Sequence, residues 1–361
     1  MTSQGKSLRF VVGAVLCIGA IFHVPMVASA QGTEASAAKS TRAADEQTNK
    51  IVLAANVFFE SLTPEQKKSV LFAYSDSEQR ARWSNLPLGL FTRAGVRLGE
   101  MNDIQRTALM KLLGTILSPT GLRMVHEQMA ADDVLKTHGG NRPDLIYGYD
   151  HFYVSFLGAP STTAPWMLQF GGHHLAINAT VVGANVTLSP SLTGGQPIKF
   201  TSLTLEPVSI AQDEISQAAL LIGSLTDVQR RKAVISTKRI DLVLGPGQDG
   251  KTLQPEGLPG SEMTSAQKTY LLQLIKARLG ILNADAVAAK IAAVRKNLDK
   301  TYFAWFGPVA EVGASYYRVT GPTILLEFAP QDLFGGDAAQ HLHNMYRDPT
   351  NEYGAAWTSH K

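Results

Sequence analysis

The feature that most constrains the fold of this chain is a helix-start pattern that occurs four times. In each copy an apolar residue is followed by Thr or Asn and, three positions later, by Gln. This is a capping box: the Thr or Asn side chain accepts from an N–H of the first helical turn, and the Gln side chain accepts from the N–H of the cap residue. The four copies lie at 62–66, 101–105, 225–229 and 263–267.

The four boxes form two pairs with nearly the same spacing. The cap residues Thr63 and Asn102 are 39 residues apart, and Thr226 and Thr264 are 38 apart. A spacing that recurs in this way is typical of an internal duplication.

Two strand-like segments also repeat, at a constant offset. YVSFLG (153–158) aligns with YFAWFG (302–307) at an offset of 149 residues, and the same offset aligns 166–179 with 315–328. We expect 153–158 to pair with the strand segment 166–182 in one half, and 302–307 with 315–328 in the other. Their Tyr, Phe, Val and Ile favour half-buried antiparallel strands. We therefore expect an α+β fold of two related halves, 49–200 and 201–361, that pack about a pseudo-twofold axis as one globular unit.

The first thirty residues predict a cleavable secretory signal peptide. Lys6 and Arg9 precede an apolar run that is short for a membrane-spanning helix. Ala28-Ser29-Ala30 is a small-x-small cleavage site, so we expect cleavage after Ala30 and a secreted or periplasmic protein. An uncleaved N-terminal anchor is the alternative. The small, polar residues 31–48 predict a flexible tether behind the cleavage site.

Composition excludes several classes of partner and cofactor. Loss of the signal peptide removes two positive charges and no acidic ones, which lowers the formal net charge from +3 to +1. We therefore expect no nucleic-acid partner, and no later apolar run approaches the ~20 residues that span a membrane. The only cysteine, Cys17, lies in the signal peptide, so no thiolate-bound cofactor is expected. The absence of a P-loop or dinucleotide fingerprint excludes a nucleotide cofactor.

Histidine is the residue type that points to a site. The chain has nine histidines, and four of them lie in two short segments: His173 and His174 in GGHHL, and His341 and His343 in QHLHN. In the offset alignment neither pair has a histidine opposite it in the other half. This asymmetry predicts a single site between the halves, to which each half contributes one segment.

Strand geometry indicates which imidazoles share a metal ion. His341 and His343 would point to the same face of a strand, roughly 6–7 Å apart. His173 and His174 would point to opposite faces unless the preceding glycines twist the chain. We expect His174, His341 and His343 to bind a divalent ion, with His173 as the other candidate ligand. Three neutral imidazoles with an open position suit zinc, copper or iron.

Polar residues near the C-terminus complete the predicted site. We expect Glu327 or Asp348 to act as acid or base beside a metal-bound water, and Arg347 to orient a substrate. For Arg347 the alternative is a buried ion pair that ties the C-terminal segment to the core.

These polar segments resemble those of an uncharacterised bacterial secreted family, domain of unknown function thirty-five hundred. The resemblance spans nearly the whole chain from about residue 50. It is carried by Trp166, the GHHL segment with Asn178, Glu327 in LLEFAPQ, and the tail HLH with YRDPTN at 341–351. It marks the same segments as candidate site residues and implies no established reaction.

Three functions are compatible with these observations. The leading hypothesis is a metal-dependent enzyme, a hydrolase or an oxidoreductase, that acts on a small-molecule substrate. One alternative is a non-catalytic periplasmic protein that binds a metal or a small ligand. The other is a structural module whose histidines only bridge the halves.

Cleavage after Ala30 is directly testable. In a bacterial host, the exported protein should begin at Gln31, because signal peptidase requires small residues before the cut. Ala28→Arg should block processing and leave the chain membrane-associated. N-terminal sequencing of both proteins checks this, and an intact N-terminus on the wild-type protein would support the uncleaved anchor instead.

Overall fold

The computed structural model describes residues 43–138, 144–202, 206–332 and 336–358. The predicted signal peptide, its cleavage site after Ala30 and residues 31–42 of the predicted tether lie outside these ranges. The first helix begins at Glu46, within the last residues assigned to the tether. Among the described helices, none combines the length and the hydropathy that crossing a bilayer requires.

The described residues form a mixed α+β chain. The α-helices are α1 (Glu46–Ser61), α2 (Pro64–Val70), α3 (Ser77–Arg80), α4 (Asp103–Ile116), α5 (Pro119–His138), α6 (Gln212–Gly223), α7 (Asp227–Ala233), α8 (Ser265–Leu279) and α9 (Ala284–Lys296). The strands of the first part are β1 (Leu71–Phe72), β2 (Val96–Arg97), β3 (Tyr153–Leu157), β4 (Trp166–Gly172), β5 (Leu175–Val182), β6 (Asn185–Thr187), β7 (Ser191–Gly195), β8 (Lys199–Thr201) and β9 (Pro207–Ser209). Those that follow are β10 (Val234–Ser236), β11 (Leu258–Pro259), β12 (Tyr302–Phe306), β13 (Tyr316–Gly321), β14 (Ile324–Pro330) and β15 (Leu342–Arg347).

One large mixed sheet organises the chain. Its main path is β1-β3-β4-β5-β7-β15-β14-β13-β12-β10, while β2, β6 and β11 pair with β3, β5 and β12. At its centre β7 and β15 run antiparallel, with Ser191 opposite Tyr346 and Gly195 opposite Leu342. On each side of this pair three consecutive strands form an antiparallel meander, β3-β4-β5 and β12-β13-β14. The α+β prediction is therefore confirmed.

The predicted strand segments are paired as expected, but two of them are each divided in two. The segment 166–182 is β4 and β5, with His173 and His174 between them, and 315–328 is β13 and β14, with Pro322 and Thr323 between them. Each is a hairpin with a two-residue turn. The adjacent histidines therefore lie in a turn rather than within a strand.

The two faces of the sheet have different covers. Helices pack on one face, where Phe156 and Trp166 join the core of α1, α4 and α5, and Trp305 and Tyr317 join the core of α6 and α8. Full burial of each such aromatic side chain contributes roughly 1.5–3 kcal/mol. The other face is covered by two segments, a first covering loop (81–95) and a second covering loop (237–257).

The loop-covered face is the polar one. Strand register places Ser155, Gln169 and Asn178 in one row on it, and Arg318 and Glu327 in another. All five are buried. Buried polar groups require hydrogen-bond partners, and on this face Gln169 accepts from Ser155 and Glu327 accepts from Tyr316.

The four capping boxes form as the sequence predicts. Within each pair the second Gln donates to the first: Gln105 Nε2 lies 2.8 Å from Gln66 Oε1, and Gln267 Nε2 lies 2.8 Å from Gln229 Oε1. The same nitrogen also donates to a backbone carbonyl, that of Ser61 or that of Ser224, over 2.9 Å. The recurring spacing thus has a physical cause, since it joins two helix starts through a half-buried Gln–Gln contact.

Removal of one of these amides should destabilise the chain. Gln267→Leu would leave the N–H of Thr264 and the carbonyl of Ser224 without their partner, which costs about 1–3 kcal/mol of unfolding free energy. Gln273→Leu, at an exposed position of the same helix, is the matched control. Urea unfolding followed by circular dichroism measures both, and equal midpoints for the two variants would contradict the role of the Gln–Gln contact.

Candidate metal centre

A tight turn brings the two adjacent histidines to one side of the chain. Gly172 pairs with Leu175, so His173 and His174 are the whole connection between β4 and β5. His174 has a φ of 59°, in the left-handed region that costs a residue with a Cβ about 1–2 kcal/mol. The ring centroids of His173 and His174 lie 3.7 Å apart. The expectation that the two rings point to opposite faces does not hold, because turn geometry replaces strand alternation here.

The glycines before this turn allow close packing. A Cβ on Gly171 would lie 2.3 Å from the carbonyl oxygen of Leu175, and one on Gly172 would lie 2.6 Å from the ring of Phe152. Neither position has room for a side chain. The GG in GGHHL is therefore explained by the approach of β5 and of an aromatic ring.

His341 and His343 enter from the other side of the central strand pair. His341 directly precedes β15 with extended backbone angles of φ −137° and ψ 116°. His343 lies opposite Ala329 of β14 and Gly194 of β7, on the loop-covered face. Two residues of extended chain place both imidazoles on that face, as predicted.

His174, His341 and His343 converge on one point. The Nε2 atoms of His174 and His341 lie 2.9 Å apart, and those of His341 and His343 lie 3.3 Å apart. One ligand nitrogen from each of the three lies within 4.8 Å of the others. Nitrogens that bind one tetrahedral ion at ~2.0–2.1 Å are themselves ~3.3 Å apart. The predicted convergence is confirmed, and a buried triad that could hold a metal ion results.

Burial keeps the three imidazoles neutral. The side chains of His174, His341 and His343 are 3%, 6% and 7% exposed. Desolvation lowers the pKa of His341 to about 4, and it lowers the pKa values of His174 and His343 well below their usual range, with the neighbouring imidazoles as further causes. The neutral form is the one whose nitrogen lone pair binds a metal ion.

His173, the fourth predicted ligand, has a different partner. Its Nδ1 lies 2.6 Å from Oδ1 of Asp132 on α5, and both side chains are buried. The other carboxylate oxygen of Asp132 accepts from the N–H of Gly148 over 2.7 Å. Asp132 therefore fixes the ring of His173, which in turn packs against the ring of His174.

Asn85, in the first covering loop, is a site residue that sequence analysis missed. Its Nδ2 lies 3.2 Å from Nε2 of His343, and its carbonyl oxygen accepts from the N–H of His174 over 3.4 Å. A 180° rotation of the amide would present Oδ1 to the triad instead. An Asn within a Pro- and Gly-containing loop has no periodicity to mark it, so the sequence carries no signal for this contact.

Arg93 fastens the loop that carries Asn85. Its Nη2 donates to the carbonyl oxygens of Ser84, Leu86 and Gly172 over 2.8, 2.7 and 2.7 Å. Burial lowers the pKa of this guanidinium to about 10, so it remains charged at neutral pH. One side chain thus joins the first covering loop to the histidine turn.

Glu327, predicted to be an acid or base beside the histidines, is bonded to the second covering loop. Its carboxylate accepts from the N–H groups of Val243 and Leu244, both over 2.8 Å, and from the hydroxyl of Tyr316 over 2.7 Å. The side chain is fully buried, and desolvation raises its pKa. It faces Met345, two residues beyond His343 along β15.

Arg347 and Asp348 likewise have partners of their own. Arg347 donates to the carbonyls of Leu244 and Gly245 over 2.8 and 2.9 Å and forms ion pairs with Asp249 and Glu352. Asp348 pairs with Lys290 and accepts from Thr350.

Strand spacing separates these two residues from the triad. Arg347 and Asp348 lie ~13 and ~16 Å from His343 along the chain direction. The structure therefore does not place them beside the histidines. Arg347 has the contacts expected of the alternative interpretation, in which an ion pair holds the C-terminal segment. The catalytic roles of Glu327, Arg347 and Asp348 stay predictions.

Comparison with known proteins gives a family. The chain matches the profile of the family described as protein of unknown function, DUF3500, over residues 44–355. The chain belongs to this family. The matched range includes the triad, Asn85, Asp132 and the three predicted catalytic residues. No protein of curated function and no solved structure gives a significant match to this DUF3500 chain, so its chemistry has to be argued from the site itself.

The lowered pKa of His341 predicts that acid destabilises the metal-free protein. Its folded pKa of about 4 lies below the unfolded value of about 6.5. Its contribution to stability is therefore complete above pH ~6.5 and is lost as the pH falls toward ~4, since only the unfolded chain takes up the proton. The slope is about 1.4 kcal/mol per pH unit for each such imidazole.

Urea unfolding between pH 7 and pH 4 measures this slope. His341→Gln keeps a polar side chain but removes the titrating group. The unfolding free energy of this variant should therefore depend less steeply on pH, because about one proton fewer is taken up on unfolding. Identical slopes for this variant and the wild-type protein would show that His341 is not held neutral by the fold.

Proposed function

We propose that this DUF3500 protein binds a divalent metal ion through His174, His341 and His343. The observation that carries the proposal is the meeting of three buried imidazoles, from segments far apart in the chain, with ligand nitrogens within 4.8 Å of one another. Three imidazoles without a thiolate suit zinc, copper or iron.

A hydrogen-bonded histidine cluster is the metal-free alternative. The Nε2 of His341 lies 2.9 Å from that of His174 and 3.3 Å from that of His343. A neutral imidazole nitrogen has either one proton or one lone pair, so only one of these two contacts is a full hydrogen bond. A metal ion would instead accept a lone pair from each of the three rings. The positions of the three nitrogens therefore favour a metal site over a metal-free histidine cluster.

The fourth ligand position separates an enzyme from a carrier. A bound divalent ion with an open position lowers the pKa of a bound water toward ~7 and polarises a substrate oxygen. Our candidate for this position is Asn85, whose Nδ2 lies 3.2 Å from Nε2 of His343: with Nδ2 toward the triad it would donate to a bound ligand, and with Oδ1 toward it the amide would close the site. Our leading proposal is the enzyme, a hydrolase or an oxidoreductase with a small-molecule substrate. The burial of all three imidazoles favours the second candidate, a non-catalytic metal or small-ligand binder.

The residues around the triad have supporting roles in this proposal. Asp132 holds His173 against His174, and Arg93 holds the loop of Asn85 against the histidine turn. Of the predicted catalytic residues, Glu327 is the nearest candidate for acid–base work. Arg347 and Asp348 would act only by holding the segments around β15.

We also propose that the chain consists of two related halves and that it is exported. From the central pair outward, the sheet has the same element order on both sides, β7-β5-β4-β3-β1 and β15-β14-β13-β12-β10, which supports the duplication. The proposal of export rests on residues 1–30 of the sequence. Export would place the protein in the periplasm or outside the cell.

Elemental analysis of protein purified without a His-tag tests the metal site. We expect about one equivalent of zinc, copper or iron per wild-type chain and none in His341→Ala/His343→Ala, because loss of two of three ligands removes the chelate. His126→Ala/His151→Ala, at one exposed and one half-buried histidine outside the triad, is the matched control and should keep the metal. Circular dichroism confirms that both variants fold, and equal metal content in the two would reject the proposed site.

Cobalt(II) substitution then separates the enzyme from the carrier. Azide should shift the visible absorption of the cobalt protein if a ligand position is open, and should not if Asn85 occupies it. In the closed case Asn85→Ala should restore the azide response. An unchanged spectrum in both proteins would reject the enzyme while leaving the metal site in place.

A further inference from the structure

A pocket lies at the opposite end of the central strands from the histidine turn. It has a volume of about 410 Å³ and lies beside the turn between β13 and β14, within the size range of small-molecule sites. Its walls are mainly apolar: Leu253, Pro255, Tyr302, Pro322, Leu325 and Pro349. None of the triad histidines is among its lining residues, so it is a separate site.

Two polar groups in this pocket point to the charge of a ligand. Lys300 is exposed, and among the described residues it is the one charged side chain of the lining. Thr320 is 6% exposed, and its Oγ1 is buried without a hydrogen-bond partner in the described part of the chain. A buried hydroxyl without a partner is unfavourable. Rotation of the Thr320 side chain about χ1 would turn Oγ1 toward the pocket, where a ligand oxygen would give it the partner that it lacks.

The same strand positions in the other half leave almost no space. Tyr302, Thr320 and Leu325 form a row across β12, β13 and β14, as Tyr153, Gly171 and Ala176 do across β3, β4 and β5. Around the second row the cavity is only about 20 Å³, and its lining includes Arg93. The larger pocket is therefore not a by-product of this strand arrangement.

We propose that this pocket binds a small organic carboxylate with an apolar body. The ammonium group of Lys300 attracts the negative charge, the hydroxyl of Thr320 donates to a carboxylate oxygen, and the apolar walls cover the hydrocarbon part. No acidic residue of the described ranges lines the pocket, which favours an anion over an amine.

Binding of straight-chain acids to the full-length mature protein tests this proposal. Calorimetry with butyrate, hexanoate and octanoate should show saturable binding that tightens by up to about fourfold for each buried methylene. 1-Hexanol, with the same body as hexanoate and no charge, should bind more weakly, and hexylamine should not bind. No saturable binding of any acid, or equal binding of hexanoate and 1-hexanol, would overturn the proposal.

Variants place the binding in this pocket. Lys300→Gln should weaken hexanoate binding by about three- to fivefold, whereas Lys296→Gln, at an exposed lysine outside the lining, should leave it unchanged. Thr320→Val removes a hydroxyl that has no partner among the residues that the structure describes, so the variant should fold normally and bind about two- to tenfold more weakly. Equal affinities in Lys300→Gln and Lys296→Gln, with wild-type binding by Thr320→Val, would reject this site.

Discussion

The antiparallel pairing of β7 with β15 is the interaction on which the rest of the structure depends. It joins the two meanders into one sheet, and it places His343 opposite Gly194, beside the strand that begins directly after His174. The buried guanidinium of Arg278 supports the pair by donating to the carbonyls of Ser191 and Asn344. Without this pairing the triad would be two unrelated histidine segments.

The sequence predicts the parts of the fold that depend on local chemistry. The capping boxes form at Thr63, Asn102, Thr226 and Thr264 because their bonds are made within four residues. The hairpin strands follow from β-branched and aromatic composition. The meeting of His174 with His341 and His343 is less local, and it was predictable because histidine is scarce and because each group is missing from the aligned half.

Residues whose partners lie in irregular loops were not predictable. Asn85 reaches the triad from a loop that Arg93 closes on itself, through Ser84 and Leu86, and joins to Gly172, and no periodicity encodes that arrangement. Glu327, Arg347 and Asp348 have the residue types of catalytic groups, but buried charges need partners wherever they occur. Here the partners of Glu327 and Arg347 include backbone groups of the second covering loop, whose path the sequence does not indicate. The turn at His173 and His174 was not predicted, because the apolar residues of 166–182 have the pattern of one continuous strand.

The separation of the histidines in the chain has a consequence for when the site exists. His174 and His341 are 167 residues apart, so neither a nascent chain that ends before His343 nor one half on its own contains a complete set of ligands. Uptake of the proposed ion would therefore follow the docking of the two meanders, and the ion would act as a non-covalent cross-link between distant segments. An unfolded chain in transit through a membrane pore would carry no assembled chelate and would acquire its ion only in the compartment where it folds.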